Sequence, residues 1–155
     1  MNGFETLRLS LKQLQTFFRK RRWKYCLIGD LAVNRWGESR FTRDIDIVVL
    51  TGIGQEETFI DELLSEFAAR SSPQKTKQFA MDNRVLLLNS AAGIPIDISL
   101  GTLPFEEQML NRAKLKTIVR GQSFRVALPE DLIVMKTLAG RPQDWKDIEG
   151  IVAKQ

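Results

Sequence analysis

The stretch Tyr25-Cys-Leu-Ile-Gly-Asp-Leu-Ala-Val-Asn-Arg-Trp-Gly-Glu-Ser-Arg-Phe-Thr-Arg-Asp-Ile-Asp-Ile-Val-Val-Leu50 decides the fold. A short apolar run reads as a strand over 25–28 and ends at Gly29. A helix is predicted over 31–36 and is stopped by Gly37. A second strand is predicted over 45–50 and opens with Asp44-Ile45-Asp46. Side chains on a strand alternate between its faces. Asp44 and Asp46 are therefore expected on one face, roughly 7 Å apart along the chain. Ile45, Ile47 and Val49 face the other way. Two carboxylates side by side at the mouth of a buried strand repel each other and need a compensating charge. A divalent cation is the usual answer, and few-carboxylate, all-oxygen sites pair Mg²⁺ with phosphate oxygens.

The rest of the chain sets bounds on what this site serves. At 155 residues it has the size of one domain with a real core. A net charge of +4 permits a polyanionic partner without demanding one. The single cysteine, Cys26, excludes an internal disulfide and reads as a small buried hydrophobe. There is no histidine, which excludes His-based triads and His-ligated zinc. Catalysis must then run on carboxylates, Lys, Arg and bound metal. No apolar stretch approaches the roughly 20 residues of a membrane span, and the N-terminus lacks a secretory pattern. A cytoplasmic location is the expectation.

Working outward, Phe4, Leu7, Leu11, Leu14 and Phe18 recur at helical spacing, and the helix closes on Arg19-Lys-Arg-Arg22. A second amphipathic helix is predicted over 56–70, broken by Ser71-Ser-Pro73. Strands are expected at 84–88 and 94–99 around a turn, and a helix at 104–111 opening with Pro104. A hairpin is expected from 116–119 and 124–127 about Arg120-Gly-Gln122. Helices close the chain at 129–139 and 143–153. The organisation is one α/β domain over 1–155. It comprises an N-terminal helix 4–22, a core 23–127 and C-terminal helices 128–155. Trp23, Trp36 and Trp145 read as core anchors, and Arg141, Asp144 and Asp147 as an ion-paired network holding the last helix.

Gly29 after an apolar strand, then Arg40-x-Thr42-x-Asp44-Ile45-Asp46, resembles the signature of the DNA polymerase β-like nucleotidyltransferases. Within that superfamily the pattern is similar to the small bacterial abortive-infection toxin type, to which aminoglycoside and lincosamide adenylyltransferases are related. Pro95-Ile-Asp97-Ile-Ser99 matches the place of the family's third carboxylate. Leu128-Pro-Glu-Asp-Leu-Ile-Val-Met-Lys136 and Arg141-Pro-Gln-Asp144-Trp-Lys-Asp147 resemble its closing helices. The resemblance implies the minimal nucleotidyltransferase fold, a short mixed sheet carrying three Asp and backed by helices. It implies transfer of a nucleoside monophosphate from an NTP, with ATP the expected donor, to a hydroxyl of RNA, tRNA, protein or a small molecule. A toxin–antitoxin setting with a partner protein is part of that implication.

The resemblance also assigns roles. Asp44, Asp46 and Asp97 would be catalytic and hold two Mg²⁺ ions, and Asp97 could accept the proton of the attacking hydroxyl. Gly29, Asp30, Arg40, Thr42 and Lys136 would form the nucleotide side of the site. Gly29 lets backbone approach a phosphate at a helix start. Arg40 supports the loop, pairs with a carboxylate or contacts phosphate, while Thr42 bonds the backbone before the acidic strand. Lys136 either faces the phosphates or is a solvated helix lysine. Asp30 departs from the pattern, which has Gly or Ser there: it caps the helix away from the phosphates, joins the metal site, or weakens nucleotide binding. The alternative function is a non-catalytic module of the same fold, antitoxin-like or scaffolding, or an RNA-binding domain.

Overall fold

The computed structural model describes residues 2–37 and 44–155. Arg40 and Thr42 lie outside the described residues. The elements in chain order are α1 (Gly3–Arg21), β1 (Tyr25–Ile28), α2 (Gly29–Trp36), β2 (Ile45–Leu50), α3 (Glu56–Glu66), β3 (Ala68–Ala69) and α4 (Pro73–Asn83). They continue with β4 (Val85–Asn89), β5 (Pro95–Gly101), α5 (Pro104–Arg112), β6 (Lys114–Val119), β7 (Gln122–Val126), α6 (Pro129–Ala139) and α7 (Pro142–Lys154). The fold is the expected mixed α/β architecture. The strands form one sheet in the order β3-β4-β5-β2-β1-β7-β6. β2 runs parallel to β5 and β1 parallel to β7, and the other neighbours are antiparallel.

Alternation builds one apolar face. Tyr25 and Leu27 of β1 pair in register with Val49 and Ile47 of β2. Ile45, Ile47 and Val49 pair in turn with Ile96, Ile98 and Leu100 of β5. These residues are almost wholly buried, and α1 covers this face through its Leu11, Leu14, Phe17 and Phe18 stripe. The Phe18 ring stacks on Tyr25 at 4.6 Å, and Tyr25 meets Phe124 at 5.1 Å. Asn2 starts α1 by accepting a bond from the Glu5 N–H, and Arg22, at φ 58°, ends it in the left-handed region.

Two elements depart from the sequence reading. The helix predicted over 56–70 stops at Glu66. Phe67 turns extended, sinks into the core and meets the Phe17 ring edge-on at 5.4 Å. Ala68 and Ala69 then pair with Asn89 and Leu88. Helical spacing continues through this segment, but a buried aromatic and a free sheet edge outweigh helix propensity there. The second departure is α4, which no periodicity announced because it buries only Thr76 and Ala80. Its start is local all the same: Ser72 accepts from the Lys75 N–H, and Pro73 occupies the first turn. Trp23 and Trp36 pack against the core as expected, whereas Trp145 is 50% exposed on α7. Its position on the outward face of the last helix keeps it out of the core.

Phe18→Ala should destabilise the protein by about 3–5 kcal/mol, the range for a buried aromatic cut back to Ala. Urea unfolding followed by circular dichroism reads the loss directly.

Candidate active site

The face opposite the apolar one carries the acidic residues. Sheet register lines them up in a single row. Ile28 of β1 pairs with Asp46 of β2, Asp46 with Asp97 of β5, and Asp97 with Leu87 of β4. The ladder continues to Arg70, whose N–H donates to the Leu87 carbonyl at 3.1 Å. Asp44 stands just before β2 and is exposed. The structure thus brings Asp46 and Asp97 side by side on neighbouring parallel strands, with Asp44 at the end of the same strand.

Gly29 begins α2 at φ 66°, a conformation that disfavours any side chain. A Cβ there would collide with Asp46 Oδ2 and lie 2.8 Å from Asp46 Cβ and Cγ. The β1–α2 turn therefore rests directly on the Asp46 carboxylate. Asp30 does not cap the helix: the N-cap position is Ile28, and Asp30 sits inside the first turn. An acidic residue there is favoured by the helix dipole. Its charge acts on both Asp46 and Arg141, so it belongs to the acidic cluster.

Asp46 is pushed up to about 6, first by burial, then by the charges of Asp97, Asp30 and Asp44, with Lys136 opposing. A carboxyl at the end of a buried strand among like charges holds its proton more tightly than in water. Lys136 is neither solvated nor free to range. Its Nζ lies 2.9 Å from Asp147 Oδ2 and 3.3 Å from Asp144 Oδ1, and its side chain is 12% exposed. Arg141 donates to Asp144 from its backbone N–H at 3.0 Å and from Nε at 2.7 Å. Gln143 donates to Asp147 at 2.8 Å. The Arg141 guanidinium, aided by Lys136, holds Asp144 down to about 2. The predicted network of α7 thus also fixes Lys136 of α6, within electrostatic reach of Asp46.

The sequence reading missed Arg70. Its Nη2 lies 2.8 Å from Asp97 Oδ1, and the same nitrogen faces the carbonyls of Leu88 and Ile96. In sequence it looks like the basic last turn of a helix, and only the β3–β4 pairing places it beside Asp97. A second missed feature is a cavity of about 1460 Å³ that has Asp44 in its lining, while Asp46, Asp97 and Lys136 lie outside it. Phe4, Leu7, Leu31, Ile94, Leu115 and Ile118 give it apolar walls.

Whether these residues suit a cation follows from the donor set. Among the described residues no three His, Cys, Asp or Glu side chains form a ready metal cage. Mg²⁺ does not require one, since it keeps several waters and takes one or two carboxylates together with substrate phosphates. Oxygen donors alone, crowded enough to raise Asp46, fit that hard cation.

The family described as nucleotidyl transferase AbiEii toxin, type IV TA system, matches residues 31–152, and the chain belongs to it. That membership makes it a nucleotidyltransferase of toxin–antitoxin type. No curated protein matches the sequence. Solved structures share the fold. An antigenic nucleotidyltransferase-like protein from Paracoccidioides brasiliensis is 18% identical with a TM-score of 0.58, over 99% of this chain and 77% of its own. The lincosamide antibiotic adenylyltransferase LnuA, solved with lincomycin, is 13% identical with a TM-score of 0.55, over 94% of this chain and 96% of its own. The antibiotic-resistance factor ANT(2'')-Ia is 14% identical with a TM-score of 0.54, over 97% and 82%. No helix of the described residues is long and apolar enough to cross a membrane.

Two variants test the electrostatics. Because Asp46 binds its proton more tightly folded than unfolded, it adds stability below about pH 4 that is lost as pH rises through about 6. Asp46→Asn in EDTA should therefore be more stable than the parent by about 3 kcal/mol at pH 8. The difference should shrink towards zero near pH 4, and melts across that range measure it. Lys136→Met strips a cation from two buried carboxylates and should cost about 3–5 kcal/mol in urea unfolding.

Proposed function

We propose that this chain transfers a nucleoside monophosphate from an NTP to an acceptor hydroxyl, with Mg²⁺, and releases pyrophosphate. The observation that carries this reading is the pairing of Asp46 with Asp97 across two parallel strands, with Asp44 and Asp30 beside them. In the reaction, an acceptor oxygen forms a bond to the α-phosphorus and the bond to the pyrophosphate oxygen breaks. Phosphoryl chemistry of this kind needs positioning and charge neutralisation more than covalent help. The cation, when bound, supplies that neutralisation.

Asp44, Asp46 and Asp97 are the residues that would hold it. Asp97, on β5 next to β2, is the group to accept the proton of the acceptor hydroxyl. Lys136, already fixed by Asp144 and Asp147, offsets the carboxylate charge and favours a polyphosphate nearby. Gly29 keeps the β1–α2 turn flush with Asp46, so the free N–H groups of the helix start open towards the phosphates. Arg40 and Thr42, which precede Asp44 in the sequence, are the further residues proposed for the nucleotide side. ATP is the donor to try first. The family's toxin–antitoxin setting favours RNA, including tRNA ends, or a protein as acceptor, and an antitoxin as partner.

Asp30 favours a second reading, a module of this fold with weak nucleotide affinity, because it adds a carboxylate where a triphosphate would approach. Thermal unfolding with each NTP, with and without Mg²⁺, separates the two. A nucleotide at about 100 times its dissociation constant adds about 2.7 kcal/mol. The transferase reading expects a Mg²⁺-dependent shift for one NTP that Asp46→Ala abolishes, together with label from that NTP entering RNA or protein. No shift with any NTP would sink it and leave the second reading standing.

A further inference from the structure

Among the described residues, Arg70 is the one basic side chain bonded to the acidic row from the far edge of the sheet. It follows β3, reaches over Leu87 and ends on Asp97. The pair is about equally exposed on its two sides, at 33% each. Only one edge of each group is used. Arg70 bonds Asp97 and both carbonyls through Nη2, so its Nε and Nη1 have no partner among the described residues. Asp97 gives Oδ1 to Arg70, and its Oδ2 takes no bond among the described residues.

This geometry has two consequences. A carboxylate bonded through one oxygen cannot spin freely, so its second oxygen keeps one bearing relative to Asp46 on the neighbouring strand. A guanidinium beside the cluster also cancels one negative charge and lowers the pull of the bare site on cations. We propose that Arg70 is a positioning residue of the carboxylate site. It pins Asp97 through Oδ1 and leaves Oδ2 as the oxygen that meets a divalent cation, at the cost of weak cation binding before nucleotide arrives. The cation is thereby tied to the nucleotide, whose phosphates supply the charge that Arg70 has cancelled. This rests on the transferase reading above and adds a residue to it.

A brace between strands and a positioning residue predict different outcomes. The probe is Mn²⁺ alone, its free concentration read by electron paramagnetic resonance, on EDTA-stripped protein without nucleotide. Arg70→Ala should bind Mn²⁺ about tenfold more tightly, the order Coulomb's law gives for one unit charge removed from beside a divalent ion in a water-exposed site. Arg70→Lys, which keeps the charge, should bind it as the parent does. With saturating Mn²⁺ and NTP, kcat of Arg70→Ala should fall at least about tenfold, because misplacing a reacting group costs rate steeply. The KM for NTP should stay within about twofold to threefold, because NTP contacts are untouched. Should Arg70→Ala unfold, Arg70→Gln keeps a donor without the charge and should show the same tightening. Unchanged or weaker Mn²⁺ binding in the neutral variants overturns the proposal and makes Arg70 a brace. Failure of the parent to bind Mn²⁺ even with nucleotide present overturns the carboxylate site as well.

Discussion

Parallel pairing of β2 with β5 in one particular register is the constraint on which the site depends. It seats Asp46 beside Asp97. A slip of β2 by one residue would turn Asp46 to the apolar face and part it from Asp97. That slip is forbidden by Ile45, Ile47 and Val49 against Ile96, Ile98 and Leu100, all almost wholly buried. Hydrophobic burial on one face therefore sets the position of charges on the other. The repulsion that follows is tolerated because the apolar face contributes far more than the carboxylates cost, at about 25 cal/mol for each Å² of apolar surface removed from water.

The molecule answers that repulsion from two directions. Lys136 comes from the C-terminal helices, held by Asp144 and Asp147. Arg70 comes from the opposite edge, held by two backbone carbonyls. Neither cation sits on the strands that carry the acids. Asp46 nonetheless remains raised, by burial first and by the neighbouring carboxylates after it. Gly29 closes the third side, where its missing side chain leaves room for the Asp46 carboxylate. A cluster this crowded, at the mouth of a sheet whose other face is sealed, is what a reaction dominated by charge neutralisation requires.

The likeness to adenylyltransferases at 13–14% identity shows how little sequence this architecture needs. In this chain the acidic row asks for an apolar strand ending in glycine, an acidic strand beside it, and a carboxylate in register on the next strand. Those demands fall on few positions.

The sequence by itself determined the central strands, the N-terminal helix and the acidic pattern. Each rests on a local rule: alternation for β2 and β5, helical spacing for α1, and glycine at a positive φ after β1. It also disclosed the Arg141–Asp144 pair at the start of α7, whereas Lys136 as the partner of Asp147 follows from the packing of α6 on α7. Only the tertiary structure decided the end of α3 at Glu66, the strand at Ala68–Ala69 and the existence of α4. Phe67 leaves the helix because a distant ring, Phe17, receives it, and no local pattern encodes that meeting. Arg70 follows from the same event. Its role comes from strand neighbours 17 residues on, at Leu87, and 27 residues on, at Asp97. Local spacing reports which face a side chain takes, while the partner across the sheet is set by long-range pairing of buried surfaces.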